Sequence, residues 1–231
     1  MVSIGHKRLI ILFALCVVLL ILRHLFIKGF IYVPEPASEP ARLPGMPVLV
    51  TVFYEALCSD SKHFIIKQLL PAYKQAAPLM AVELVPYGKA QTYKLSDGTY
   101  RFECQHGNVE CEANMYHSCI IESVEIELRL NMIACMIHDN RNPKEAMLKC
   151  ARQYGITNTD FIQKCMSSGH AAELLKINGE ATHALRPPVS FIPTITLDGN
   201  QHGQPAILKD LLGEVCKIFG DTERAAEYCT P

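Results

Sequence analysis

Several kinds of apolar pattern succeed one another along the chain. From Leu9 to Leu22 fourteen apolar residues run without a break. From Val48 to Tyr54 a shorter apolar run, rich in β-branched and aromatic residues, predicts a buried strand. Phe64, Ile65, Leu69, Leu70 and Tyr73 then recur at helical spacing until Pro78 stops them. Ala81 to Tyr87 alternates and is closed by Pro86 and Gly88, so a strand–helix–strand crossover gives a parallel pair. Residues 108–180 read as consecutive helices, broken near Asn140–Pro143, at Gly155 and at Gly169. A third strand, Val189–Leu197, meets the hairpin signal Asp198-Gly199-Asn200, after which a short fourth strand is expected. A final amphipathic helix covers Ile207–Phe219, with Leu208, Leu211, Leu212 and Val215 inward. The pattern is α/β, with a helical insertion at about 104–185 between the second and third strands.

The apolar run at residues 9–22 has Lys7 and Arg8 before it and Arg23 after it, which marks a secretory targeting segment. No small-x-small cleavage site follows, and the sequence stays largely apolar to Val33, so residues 1–33 read as a signal peptide or an uncleaved signal anchor. An anchor predicts a single-pass type II membrane protein, with Lys7, Arg8 and the terminal amine holding the N-terminus in the cytoplasm. Residues 34–46, with Pro34, Pro36, Pro40 and Pro44, read as an extended linker. The domain then occupies residues 47–231. Net charge is −1 with both signs interspersed, which removes nucleic acid from the expected partners. There is no N-x-S/T sequon.

Ten cysteines are present. Cys16 lies in the apolar segment, and Cys58 follows the first strand at the start of a predicted helix, where unpaired N–H groups and the helix dipole favour thiolate. The other eight, Cys104, Cys111, Cys119, Cys135, Cys150, Cys165, Cys216 and Cys229, are an even set and candidates for structural disulfides. Eight cysteines permit 105 pairings, and the sequence does not choose among them. Cys58 heads Cys58-Ser59-Asp60-Ser61, so Ser61 stands where a C-x-x-C pair would place its resolving thiol. Ser61 can instead hydrogen-bond the thiolate. Asp60 opposes the thiolate by its charge, and His63 faces solvent by ordinary helical spacing. Pro193 interrupts a strand, where a proline cannot donate to the ladder. A cis Ile192–Pro193 bond accounts for it.

The densest patch is Cys104 to Cys119. A zinc site using Cys104, His106, Cys111, His117 and Cys119 has the right donor types, but no C-x-x-C pair exists and Cys111 and Cys119 lie eight residues apart, over two helical turns, so no metal is expected. The patch fits C-Q-H-G-x-x-E-C-x-x-N-x-x-x-x-C at Cys104, Gln105, His106, Gly107, Glu110, Cys111, Asn114 and Cys119. In this it resembles the gamma-interferon-inducible lysosomal thiol reductase family, over about residues 48–229, including Tyr54-Glu55 before Cys58 and Ile192-Pro193-Thr194.

The resemblance implies a thioredoxin-like fold carrying a helical insertion. It also implies reduction of protein disulfides in the secretory or endolysosomal pathway or outside the cell, without a cofactor. Cys58, Ser61 and Pro193 become the catalytic candidates, with Ile192 and Pro193 holding substrate opposite the thiol. Since many relatives carry C-x-x-C and this chain carries C-x-x-S, the mixed disulfide on Cys58 must be resolved by an outside thiol such as glutathione or cysteine. The competing expectation is a disulfide-stapled binding protein that keeps the fold and uses the helical insertion as its interaction surface. Trapping of a disulfide substrate on Cys58 separates the two.

Overall fold

A computed structural model of the chain describes residues 4–30, 43 and 45–229, and within the first helix the side chains of residues 11–24. The linker expected at 34–46 therefore lies outside the described residues, apart from Leu43, Gly45 and Met46. The chain forms two units, Met1–Leu43 and Pro44–Pro231. In the first, α1 (Ile4–Phe30) contains the apolar run. Among the described residues no helix is long and apolar enough to cross a membrane. The type II anchor expected from residues 9–22 finds no support on this ground.

The second unit is built on a three-stranded sheet in the order β2-β1-β5, formed by β1 (Val48–Tyr54), β2 (Met80–Pro86) and β5 (Thr194–Leu197). β1 is central: it pairs parallel with β2, Val48 opposite Met80 through Tyr54 opposite Pro86, and antiparallel with β5. Flanked on both sides, it is apolar at nearly every position, as a buried central strand requires. The crossover is α2 (Ser59–Phe64), a π turn (Ile65–Leu69), α3 (Leu70–Ala76) and a 3₁₀ turn (Ala77–Leu79). The π turn sits where Pro71 removes an N–H that an unbroken helix would use to bond Lys67.

After β2 comes a hairpin that the sequence pattern did not show, β3 (Gln91–Lys94) with β4 (Tyr100–Glu103). Five helices follow: α4 (Asn108–Ser123), α5 (Ile126–His138), α6 (Pro143–Gln153), α7 (Asp160–Ser167) and α8 (His170–Ala184). They share one apolar core with the sheet, in which Val50, Val52, Phe64 and Leu69 lie in a cluster with Ile120, Met132, Ile133, Met136 and Met147. Four disulfides staple the helical parts. Cys104–Cys111 closes the entry to α4, Cys119–Cys165 joins α4 to α7, and Cys135–Cys150 joins α5 to α6. Cys216–Cys229 joins α10 (Leu211–Phe219) to the end of α11 (Glu223–Tyr228).

Three expectations need correction. The strand expected over Val189–Leu197 is reduced to Thr194–Leu197, since Pro193 has no N–H to give to the ladder. The turn at Asp198-Gly199 forms, with φ of 50° and 83°, but no fourth strand follows, only a single bridge between Leu197 and Asn200. Gln204 takes that strand's place. It opens α9 (Gln204–Lys209), its Oε1 accepts from the Ile195 N–H at 3.0 Å, and its Nε2 donates to the Ile195 carbonyl. The single helix expected over Ile207–Phe219 is split into α9 and α10 at Asp210, whose carboxylate caps the second by accepting from Gly213 N–H at 2.9 Å.

Candidate active site

Cys58 occupies the N-cap position of α2, after a three-residue loop, Glu55-Ala56-Leu57, that leaves the C-terminal end of the central strand. Its carbonyl accepts from Lys62 N–H at 3.0 Å, the first bond of the helix. The thiol is half-buried and its Sγ lies 3.8 Å from the carbonyl oxygen of Ile192, with the Ile192–Pro193 bond cis. The fold thus brings Cys58, Ile192 and Pro193 together from positions 134 residues apart. Ser61 lies beneath, fully buried, and its hydroxyl accepts from Glu55 N–H at 3.3 Å. Among the described residues the polar contact of the Cys58 sulfur is to Ile192, so the expected Ser61–thiolate bond is absent in this arrangement. His63 is exposed, as its spacing indicated.

The loop entering Cys58 is held from behind by the helical region. Ala56 N–H donates to Asn114 Oδ1 at 2.9 Å, and Ala56 carbonyl accepts from Asn140 Nδ2 at 3.3 Å. Asn140 Nδ2 also lies 2.9 Å from His117 Nε2, and His117 Nδ1 lies 2.9 Å from the Tyr54 hydroxyl. An amide nitrogen can only donate, so Nε2 accepts and Nδ1 carries the proton that reaches Tyr54. Burial among these neutral groups lowers the His117 pKa to about 3 and raises that of Tyr54 well above the ordinary phenol value. The network is neutral throughout. Asn114 Nδ2 and Asn140 Oδ1 are buried without a hydrogen-bond partner among the described residues.

Glu55 begins a second cluster. Its side chain is almost wholly buried, with Oε1 accepting from Lys89 N–H at 2.8 Å and Oε2 lying 3.5 Å from His106 Nδ1. The same nitrogen is 2.6 Å from Glu110 Oε2, and Glu110 Oε1 accepts from His106 N–H at 3.0 Å. Burial raises the Glu55 pKa, with the Lys89 N–H opposing it and the Glu110 charge reinforcing it. Gly88 at φ 64° packs on this carboxylate, and a Cβ there would overlap Glu55 Cγ.

Three donors, Glu55, His106 and Glu110, lie close enough to share a cation; a second such group, Glu122, Cys165 and His170, includes a sulfur already in a disulfide. The zinc set weighed from sequence is dismantled in the same way, since Cys104, Cys111 and Cys119 all lie in disulfides.

By sequence the 104–119 patch reads as disulfide anchors and a turn. The structure adds that Glu110, Asn114, His117 and Ser118 form one buried stripe of α4 facing the Cys58 loop and its neighbours. Their separations of four, three and one residues were the available signal. Tyr54 and Glu55 stood out only through the family resemblance, and Asn140 only as part of a helix break.

A reactive-type thiol at a strand-to-helix junction, on a thioredoxin-like sheet, defines a thiol-disulfide oxidoreductase. Solved structures agree on the fold: the chain is similar to reduced DsbA from Mycobacterium tuberculosis, with a TM-score of 0.54 and 18% identity over 85% of this chain and 92% of that one. It is comparably similar to DsbA from Chlamydia trachomatis, with a TM-score of 0.53 and 16% identity over 81% and 93%.

The sequence profile described as gamma interferon inducible lysosomal thiol reductase matches residues 49–154. The Mus musculus gamma-interferon-inducible lysosomal thiol reductase is 31% identical over 182 residues, 78% of this chain and 71% of the relative. GILT-like protein 2 of Drosophila melanogaster is 37% identical over 168 residues, 70% of this chain and 75% of the relative. The chain belongs to the gamma-interferon-inducible lysosomal thiol reductase family.

Proposed function

We propose that Cys58 is the nucleophile of a monothiol disulfide reductase acting on protein disulfides in the secretory or endolysosomal pathway. The observation that carries this reading is the placement of Cys58: every other cysteine of the described domain is in a disulfide, and this thiol alone stands at the helix start beside Ile192 and Pro193. Cys58 thiolate attacks one sulfur of a substrate disulfide, forming a mixed disulfide and releasing the other sulfur as thiolate. The substrate lies along the Ile192–Pro193 segment. A buried serine at position 61 has no sulfur to close the cycle, so two equivalents of a small thiol, glutathione or cysteine, supply the electrons.

The address is proposed from the family and the N-terminal targeting segment together. Residues 1–33 act as that segment, 34–46 as a linker, and 47–231 as the catalytic domain with its helical insertion.

The test is a disulfide peptide incubated with the purified protein and analysed by intact mass. Wild type gains one peptide half on Cys58, and Cys58→Ser gains none. Ser61→Cys is expected to release the peptide without added thiol and to lose two hydrogens as Cys58 bonds the introduced sulfur. If wild type traps no peptide, the reductase reading fails and the disulfide-stapled binding protein takes its place.

A further inference from the structure

A cleft of about 430 Å³ is lined by both chain neighbours of Cys58, Leu57 and Ser59, with Cys58 itself outside the lining. Its volume falls in the range of small-ligand sites, roughly 300–1,000 Å³. The opposite wall is the turn between α5 and α6, with His138, Asp139 and Arg141. Lys62, one helical turn after Cys58, also lines the cleft, with Ala56, Ile137 and Asn140. Lys62 Nζ donates to the His138 carbonyl at 2.6 Å, so it is tethered across the cleft rather than trailing into solvent.

The charges do not cancel. Asp139 engages Arg141 at Nε (2.8 Å) and Nη2 (3.0 Å), while the Arg141 side chain stays 83% exposed. That pairing holds the Asp139 carboxyl down to about 2, so the aspartate remains ionised in acid. Among the lining residues two cations and one anion leave an excess of one positive charge, with the exposed Asp60 carboxylate, two residues past Cys58, lying outside the lining.

We infer that this cleft is the binding site of the resolving thiol, and that it selects small thiols bearing a carboxylate, held by Lys62 and Arg141 with their sulfur directed at the mixed disulfide. The inference rests on the monothiol reading above. The carboxylate thiol, as R′S⁻, attacks Cys58 Sγ, displacing the substrate sulfur as thiolate and leaving Cys58–S–S–R′ in the cleft. A second R′S⁻ attacks the R′ sulfur, releasing R′–S–S–R′ and regenerating the Cys58 thiolate. One substrate disulfide gains two electrons and two protons, and two R′SH lose them.

The experiment compares three short thiols, 3-mercaptopropionate (anionic), 2-mercaptoethanol (neutral) and cysteamine (cationic), as resolvers of a peptide mixed disulfide on the full-length protein. Each rate is corrected for thiolate fraction and divided by that thiol's rate with a small disulfide in solution. Wild type is expected to favour the anionic over the neutral and the neutral over the cationic thiol, by about two- to fivefold per step at low salt, with the spread shrinking at high salt. Lys62→Gln combined with Arg141→Gln is expected to collapse the ratios toward one, and Lys62→Arg to restore the preference. Equal ratios in wild type, or a preference that survives in the double variant, overturns the inference while leaving the monothiol reading standing. Failure of that reading shows earlier and differently, as no mixed disulfide in the mass spectrum.

Discussion

The loop from Glu55 to Cys58 is treated in opposite ways on its two sides. Behind it, Asn114 and Asn140 grip both polar groups of Ala56, and His117 and Tyr54 extend the grip in a fully buried, neutral network. In front, the thiol touches the Ile192 carbonyl at 3.8 Å, and Ser59 and Asp60 are exposed. The contrast separates two requirements of thiol exchange: the sulfur must be held still, and it must be reachable by a bulky partner. The sheet satisfies the second by ending just before Cys58. The helical insertion satisfies the first.

The largest test of this division is on the open side. Cys58→Ser should abolish disulfide reduction while leaving the unfolding midpoint in urea near wild type, because the thiol makes one weak contact. A folded variant with residual turnover would remove Cys58 from the chemistry.

The next largest effect belongs to the held side. Cys119–Cys165 closes 46 residues and ties α4, which carries Asn114 and His117, to α7. Replacing both cysteines by alanine should cost about 4 kcal/mol, against about 3 kcal/mol for the Cys216–Cys229 pair. The latter closes 13 residues and lies away from the network. Chemical denaturation ranks the two, and only the first should also slow trapping on Cys58.

Acid probes the buried network itself. His117 has its folded pKa lowered to about 3 from 6.5, so its neutral form contributes stability that is complete above pH 6.5 and lost as pH falls toward 3. The loss approaches about 1.4 kcal/mol per pH unit, or about 2 kcal/mol between pH 6.5 and 5. His117→Gln should flatten that slope in urea titrations at each pH.

Glu55 runs the other way and is the smallest effect. Its folded pKa is raised above 4.5, so the protonated form favours the fold below 4.5 and that contribution is lost as pH rises through the raised value. Glu55→Gln should remove this component, leaving the His117 slope alone. If both variants leave the pH profile unchanged, the held side is not titrating as its burial requires.

How far these features were legible follows from the kind of signal each leaves. β1, β2 and the crossover were readable because a buried central strand has to be apolar throughout and a parallel partner has to be reached by a helix. The free thiol was readable from parity, the remaining eight cysteines being even. The hairpin β3–β4 was not, because its burial pattern has Phe102 as the one buried residue and so leaves no alternation to find.

The polar network behind Ala56 was half legible. Glu110, Asn114 and His117 declare a common helix face by spacing, but nothing local shows that a face so polar is turned inward. Asn140 and Tyr54 reach it only through tertiary packing, at separations of 84 residues from Ala56 and 63 from His117. The fourth strand failed for a related reason: the turn chemistry at Asp198-Gly199 was correct, and one glutamine side chain did the work of a strand.

That glutamine has a consequence for the molecule among its copies. An edge strand left with open N–H and C=O groups is a template on which another chain can add, the first step of strand-mediated aggregation. Gln204 occupies both groups of Ile195 at the middle of β5 and, being a side chain, offers no new edge beyond itself. On its β5 side the sheet therefore ends without leaving a template on which a further strand could add.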